Sequence, residues 1–136
     1  MEAIISRSHI HGVVQAPASK SSMQRACAAA LLHPGVTTIA NPGASDDDRA
    51  VLKIIQQLGA KVTEKDQALT ITSTGFPGKE IQQEININCG ESGLAIRMLT
   101  PVVALVNAKI NITGEGSLVK RPMHFFEEIM PQLGVK

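Results

Sequence analysis

The spacing of apolar positions divides the chain into short runs of strand and helix. Residues 2–7 and 10–15 read as short strands interrupted near Ser8-His9, and Pro17-Ala18-Ser19-Lys20 then opens a helix. Met23, Ala26, Cys27, Ala30 and Leu31 follow the i, i+3, i+4, i+7, i+8 spacing of one buried helix face. His33-Pro34-Gly35 stops that helix, and Val36–Ala40 is predicted as a strand. Ser45 can cap a second helix whose first-turn aspartates, Asp46, Asp47 and Asp48, suit the positive end of the helix dipole. Ala50, Val51, Ile54, Ile55 and Leu58 mark its buried face, and Gly59 marks its end. Strands are predicted at about 61–65 and 68–73, joined by Lys65-Asp66-Gln67.

The order then restarts. Glu84–Asn88 reads as a strand, and Gly90-Glu91-Ser92-Gly93 leads into a helix to about Val106. That helix is apolar almost all round and is therefore expected to be buried, with a kink or early end at Pro101. Lys109–Thr113 is a strand, and Pro122 is placed as the first residue of a last helix. Met123, Phe126, Ile129, Met130 and Leu133 should face inward there, with Pro131 awkward in the last turn and Gly134 ending it. The two halves form an internal repeat: Gln57-Leu58-Gly59 and Gln132-Leu133-Gly134 close the paired second helices, and Arg25 and Arg97 occupy similar points of the paired first helices. Each unit runs strand–helix–strand–helix–strand–strand. The second unit stops at Val135-Lys136, where its next strand should begin, so the pattern carries an expectation of truncation.

Composition narrows the function classes. With 136 residues and 43% apolar content, the chain suits one ordinary core rather than a disordered segment. It has no Trp or Tyr and three Phe, so the core must be aliphatic. The net charge of +1 argues against broad binding to nucleic acid or to acidic membranes, and leaves anion chemistry to individually placed cations. Cys27 and Cys89 lack the spacing of a disulfide framework or zinc site. No signal-peptide layout is present and the apolar run at 92–106 is too short to span a bilayer comfortably, so a cytoplasmic, soluble protein is expected.

Three places combine small residues with a cation at a helix start. Ser19-Lys20-Ser21, with Arg25 a turn later, offers backbone N–H groups, hydroxyls and an ammonium to a phosphate or carboxylate, although a capped helix with a solvated lysine explains the same residues. Gly90-Glu91-Ser92-Gly93 precedes a helix carrying Arg97, which either finds a buried partner or reaches water from the helix margin. Gly114–Pro122 holds two glycines with Lys120 and Arg121, lacks the P-loop order, and taken alone reads as a solvated loop. The Asp46–Asp48 run is better explained as first-turn aspartates than as a metal site, and His9 and His11 have no third ligand nearby.

Taken together, these segments resemble the EPSP synthases (3-phosphoshikimate 1-carboxyvinyltransferases), which are enolpyruvyl transferases. Pro17-Ala18-Ser19-Lys20-Ser21 with Arg25 resembles the family's PGSKS-x-x-x-R segment, and Cys89 to Arg97 resembles its LGNAGTAMR segment. Thr113-Gly114-Glu115 through Lys120-Arg121-Pro122 resembles TGE/TGD…RP, and Ser45-Asp46-Asp47 resembles SDD. All four occur in the family's order across nearly the whole chain. The resemblance implies an α/β fold of β-α-β-α-β-β repeats, turned inside out so that helices lie within and sheets outside. Residues 1–16 would belong to the other half of the full enzyme or to the crossover between domains. Residues 17–136 would form a partial N-terminal domain, with repeat 1 at about 17–83 and part of repeat 2 at about 84–136.

The resemblance also implies a reaction: transfer of the carboxyvinyl group of phosphoenolpyruvate to the 5-hydroxyl of shikimate 3-phosphate, in the shikimate pathway toward chorismate and the aromatic amino acids. No metal or organic cofactor is implied. By resemblance Lys20 touches both substrates and stabilises charge, Ser21 and Arg25 hold shikimate 3-phosphate, and Gly93, Arg97 and Arg121 hold phosphoenolpyruvate with Ser92 lining that site. Glu91 stands where the family usually has Asn, and Leu94 where it usually has Thr. A carboxylate there should repel phosphoenolpyruvate unless it turns away or pairs with a cation such as Arg97 or Arg121. The family's general acid/base carboxylates lie in later parts of its chain, so this chain alone is expected to be inactive and to need the remainder of the enzyme as partner. A homodimer through exposed edges is a further expectation. Two alternatives are kept. A UDP-N-acetylglucosamine 1-carboxyvinyltransferase would usually carry Lys-Asn where this chain has Lys20-Ser21, and a cysteine near Gly116-Ser117. A non-catalytic anion-binding module would be complete at this length.

Overall fold

The computed structural model describes residues 2–77 and 84–135. The expected boundary between repeats, at 83, and the last residue, Lys136, lie outside the described residues. Helix α1 spans Lys20–Leu32, with the Ser19 hydroxyl accepting from the Ser22 N–H at 3.3 Å. Strand β1 follows at Pro34–Ala40, and α2 covers Asp46–Gln57. The start of α2 is a capping box. Ser45 Oγ accepts from the Asp48 N–H at 3.3 Å, and Asp48 Oδ2 accepts from the Ser45 N–H at 3.1 Å. Strands β2 (Lys61–Lys65) and β3 (Ala68–Thr74) form a hairpin, with positive φ at both Asp66 and Gln67 as its two-residue turn requires. β3 is the centre of an antiparallel sheet ordered β1-β3-β2. Alternation along β3 turns Leu69, Ile71 and Ser73 toward the helices, where Ser73 Oγ donates to the Leu31 carbonyl at 2.7 Å.

A second sheet pairs β4 (Ile85–Asn88) with β5 (Ile110–Thr113) in parallel. The crossover between them is α3, Gly93–Val103. α1 packs against α2, α3 and β3. The core is accordingly aliphatic, with Leu31, Ile54, Ile55, Leu69, Ile71, Ile87 and Leu99 almost wholly removed from water. No helix among the described residues is long and apolar enough to cross a membrane.

Four expectations change. Residues 2–15 form no strand; Ile4, Ile5, Ile10, Val13 and Val14 are exposed, and no strand among the described residues supplies hydrogen-bond partners. α3 stops at Val103 rather than about Val106, soon after Pro101. It is buried along one face, Ala95, Leu99 and Val103, and not all round, since one sheet and α1 cover only that side. The last helix does not run from Pro122. A 3-10 turn at Gly116–Lys120 precedes a short α4 at Phe125–Ile129, and a 3-10 turn at Pro131–Leu133 ends the segment. Pro131 cannot donate to the preceding turn, and no residue of α4 is fully buried: Met123, Phe126 and Met130 are half-buried, while Ile129 and Leu133 face water. Finally, Ala26 and Ala50 are half-buried, and the polar Gln24 and Asp48 take fully buried places on their helices.

Candidate anion-binding cleft

The fold brings two helix N-termini and one loop together. At the start of α1 stand Lys20 and Ser21; at the start of α3, Gly93 with its cap Ser92; and after β5, the turn that ends in Arg121. First-turn N–H groups have no partner within their own helix, so each N-terminus presents donors and partial positive charge. The loops after β4 and β5 are tied side by side. The Glu115 N–H donates to the Gly90 carbonyl at 2.7 Å, and Asn88 Nδ2 donates to Glu115 Oε1 at 2.6 Å. Buried Leu118 anchors the 3-10 turn beneath. This lashing delivers Arg121 to the start of α3.

Gly93 shows how close the cations come. A methyl group on its Cα would collide with Arg121 Nη1 and lie 3.0 Å from Arg97 Nη1. Both guanidinium groups therefore converge beside one glycine. The cleft here has a volume of about 300 Å³ and is lined by Lys20, Ser21, Gln24, Asp47, Glu91, Gly93, Leu94, Ser117 and Arg121.

A carboxylate pairs with Lys20, and a second, Glu91, is tied to the backbone beside the cleft. Lys20 Nζ pairs with Asp47 Oδ2 at 2.8 Å. The hydrogen bond and charge of Asp47 raise the lysine's pKa above its ordinary value, so it remains an ammonium at neutral pH. Glu91, exposed at the cleft, accepts from the Ser117 N–H at 3.0 Å. That bond holds its carboxyl below the usual glutamate range, with the Arg121 charge adding in the same direction. Gly116, at φ +51°, lets the chain pass: a side chain there would collide with the Glu91 carboxylate.

The sequence-derived residues divide accordingly. Lys20, Ser21, Gly93 and Arg121 line the cleft, and Arg97 reaches its edge at Gly93. Arg97 is exposed, with Nη1 donating to the Gly93 carbonyl at 3.3 Å, so it sits at the helix margin rather than in a buried pair. Arg25 lies apart on the exposed side of α1 and donates to the Ser21 carbonyl at 3.3 Å. Ser92 is turned inward: its hydroxyl caps α3 through the Ala95 N–H at 3.2 Å and donates to Gln24 Oε1 at 2.9 Å. Glu91 bonds to a backbone N–H rather than to either arginine. Sequence reasoning missed Asp47 as the partner of Lys20 and missed Gln24 altogether. Gln24 stands four residues after Lys20, a spacing that sets both on one helix face. A larger groove of about 1000 Å³ lies between α3, β5 and the C-terminal turns, with Lys109 the one cation that lines it among the described residues.

The fold and cleft define a mixed α/β chain whose clustered cations suit a small polyanion. Comparison with known families matches residues 4–136 to EPSP synthase (3-phosphoshikimate 1-carboxyvinyltransferase), and the chain belongs to that family. It is 40% identical over 119 residues to a 3-phosphoshikimate 1-carboxyvinyltransferase of Chlamydia caviae, covering 88% of this chain and 26% of the relative. It is 37% identical over 134 residues to the one of Methanocorpusculum labreanum, covering 98% of this chain and 32% of that protein. EPSP synthase from Acinetobacter baumannii superposes with a TM-score of 0.79 at 24% identity, over 92% of this chain and 28% of that one, a likeness of fold. The chain thus spans about 30% of the length of these relatives.

Proposed function

We propose that this chain supplies one wall of the active site of an enzyme that moves the carboxyvinyl group of phosphoenolpyruvate to the 5-hydroxyl of shikimate 3-phosphate in the cytoplasm. The repeat organisation is then β-α-β-α-β-β, with residues 1–16 paired in another part of the full enzyme. The observation that carries the reading is the convergence of Lys20, Arg97 and Arg121 at the N-termini of α1 and α3. Both substrates are polyanions, and their mutual repulsion is the first obstacle to reaction. Fixed cations between them offset it and hold the reacting atoms in line.

In the reaction the 5-hydroxyl oxygen bonds to C2 of phosphoenolpyruvate, the hydroxyl proton leaves and C3 gains a proton. Loss of a C3 proton and of the C2–O bond to phosphate then yields the product and inorganic phosphate. Lys20 sits between the two substrates in this scheme. Ser21 and Arg25 bind shikimate 3-phosphate, and Gly93, Arg97 and Arg121 bind phosphoenolpyruvate. Ser92 acts behind the site, through the cap of α3. Proton transfer falls to carboxylates supplied by the remainder of the enzyme, so purified residues 1–136 should release no phosphate from the substrate pair.

Amide NMR spectra recorded during addition of shikimate 3-phosphate and then phosphoenolpyruvate test the assignment. Shifts should cluster at Lys20, Ser21, Gly93, Leu94 and Ser117. Shifts confined to the groove by Val106 and Ile110 would overturn it, as would phosphate release by the chain alone.

A further inference from the structure

Gln24 is out of character on the buried face of α1. It lies between Met23 and Cys27, is itself fully buried, and lines the same cleft as Lys20, Ser21 and Arg121. Its bond to Ser92 settles which way the amide points. Ser92 Oγ already accepts from the Ala95 N–H, so its hydroxyl proton is free to donate, and Gln24 Oε1 receives it at 2.9 Å. Reversing the amide would strand that proton in the core. Nε2 is therefore left with two N–H donors, sealed from solvent and without an acceptor among the described residues. An unpaired buried donor is destabilising, and a leucine or methionine would fill the place without that cost.

We propose that Gln24 is a ligand-binding residue of the cleft, its Nε2 donating to a phosphate or carboxylate oxygen of the bound anion. This rests on reading the cleft as a substrate site. Gln24 follows Lys20 by one helical turn and adjoins Ser21 and Arg121 in the cleft wall. The Ser92 hydroxyl, fixed by its capping bond, holds the amide from behind. The amide adds a directional contact without adding charge to a wall that already carries Lys20 and Arg121. Binding of an anion in the cleft gives the orphan donor its acceptor.

The test is calorimetric titration of phosphoenolpyruvate and, separately, inorganic phosphate into residues 1–136 as wild type, Gln24→Met and Lys20→Ala. Side-chain amide NMR spectra of the wild type accompany it. Gln24→Met should weaken phosphoenolpyruvate binding by roughly tenfold or more, the loss of one hydrogen bond to a charged group. A parallel loss for inorganic phosphate assigns the contact to a phosphate oxygen; a loss for phosphoenolpyruvate alone assigns it to the carboxylate. The Gln24 Nε2 resonances should move on saturation, which tests the contact even if Gln24→Met fails to fold. Unchanged affinity in a folded Gln24→Met, or stationary Nε2 resonances while the Gly93 amide shifts, would overturn this inference and leave the cleft reading intact. No binding by the wild type, or binding unaffected by Lys20→Ala, would overturn both.

Discussion

Gly93→Ala separates the cleft from the fold. The glycine does not occupy the left-handed region, so alanine can adopt its backbone. The added methyl meets no backbone atom at close range: it collides with Arg121 Nη1 and comes within 3.0 Å of Arg97 Nη1. Both are ends of flexible side chains and can swing aside. Stability should therefore change by no more than about 1 kcal/mol, and the gain in helix propensity makes a small increase the expected sign. That corresponds to about 3 °C in melting temperature for a chain of this size. The displaced guanidinium should cost one charge-assisted contact, roughly 1.5–3 kcal/mol, or about ten- to a hundredfold in affinity for phosphoenolpyruvate. Shikimate 3-phosphate, assigned to Lys20, Ser21 and Arg25, should be affected less. Calorimetry on the wild type and variant, with melting curves for each, checks both halves. Undiminished phosphoenolpyruvate affinity in a folded variant would refute the assignment of Arg97 and Arg121.

Other perturbations test the core and the titrating groups. Leu99→Ala removes a side chain with no solvent exposure on the buried face of α3 and should cost about 2–5 kcal/mol in chemical denaturation; a loss below about 1 kcal/mol would mean that α3 does not pack as described. Glu84, bonded to Lys109 and Asn111, and Glu91, bonded to Ser117, both titrate below 4.5 when folded, so their stabilisation is present above that pH and is lost as the pH falls through the folded values. Denaturation midpoints should fall on acidification, and Glu84→Gln should flatten that slope; an unchanged slope contradicts the Glu84 contacts. Burial pushes the Cys27 thiol up to about 12 and Cys89 to about 11, so both should resist alkylation at pH 8 until denaturant is added, and rapid labelling of the native protein would contradict their burial.

Local signals were readable where they act within a few residues. Ser19 and Ser45 are the caps that their sequence positions imply, and the Asp66-Gln67 turn sets the register of β2 against β3. Long-range partnership was not. Residues 2–15 have strand-forming side chains, yet a strand exists only where another chain segment pairs with it, and none among the described residues does. The apolar periodicity from Met123 to Leu133 implies a helix face, but Pro131 divides the segment and no sheet among the described residues covers it. At the cleft, the cations stood out beside glycine and serine. Their convergence depends on the bond between the Glu115 N–H and the Gly90 carbonyl, which no spacing encodes. Gln24 and Ser92 are 68 residues apart, and neither looks unusual until α1 is laid against α3.

The central claim is that Lys20 and the two helix N-termini form a site for a phosphorylated substrate. Calorimetric titration of shikimate 3-phosphate into residues 1–136, beside Lys20→Ala at the same ionic strength, tests it most directly. The wild type should bind weakly and saturably, and a Lys20→Ala protein that melts cooperatively should bind at least about tenfold more weakly. Absence of binding by the wild type, or equal binding by both proteins, would contradict it.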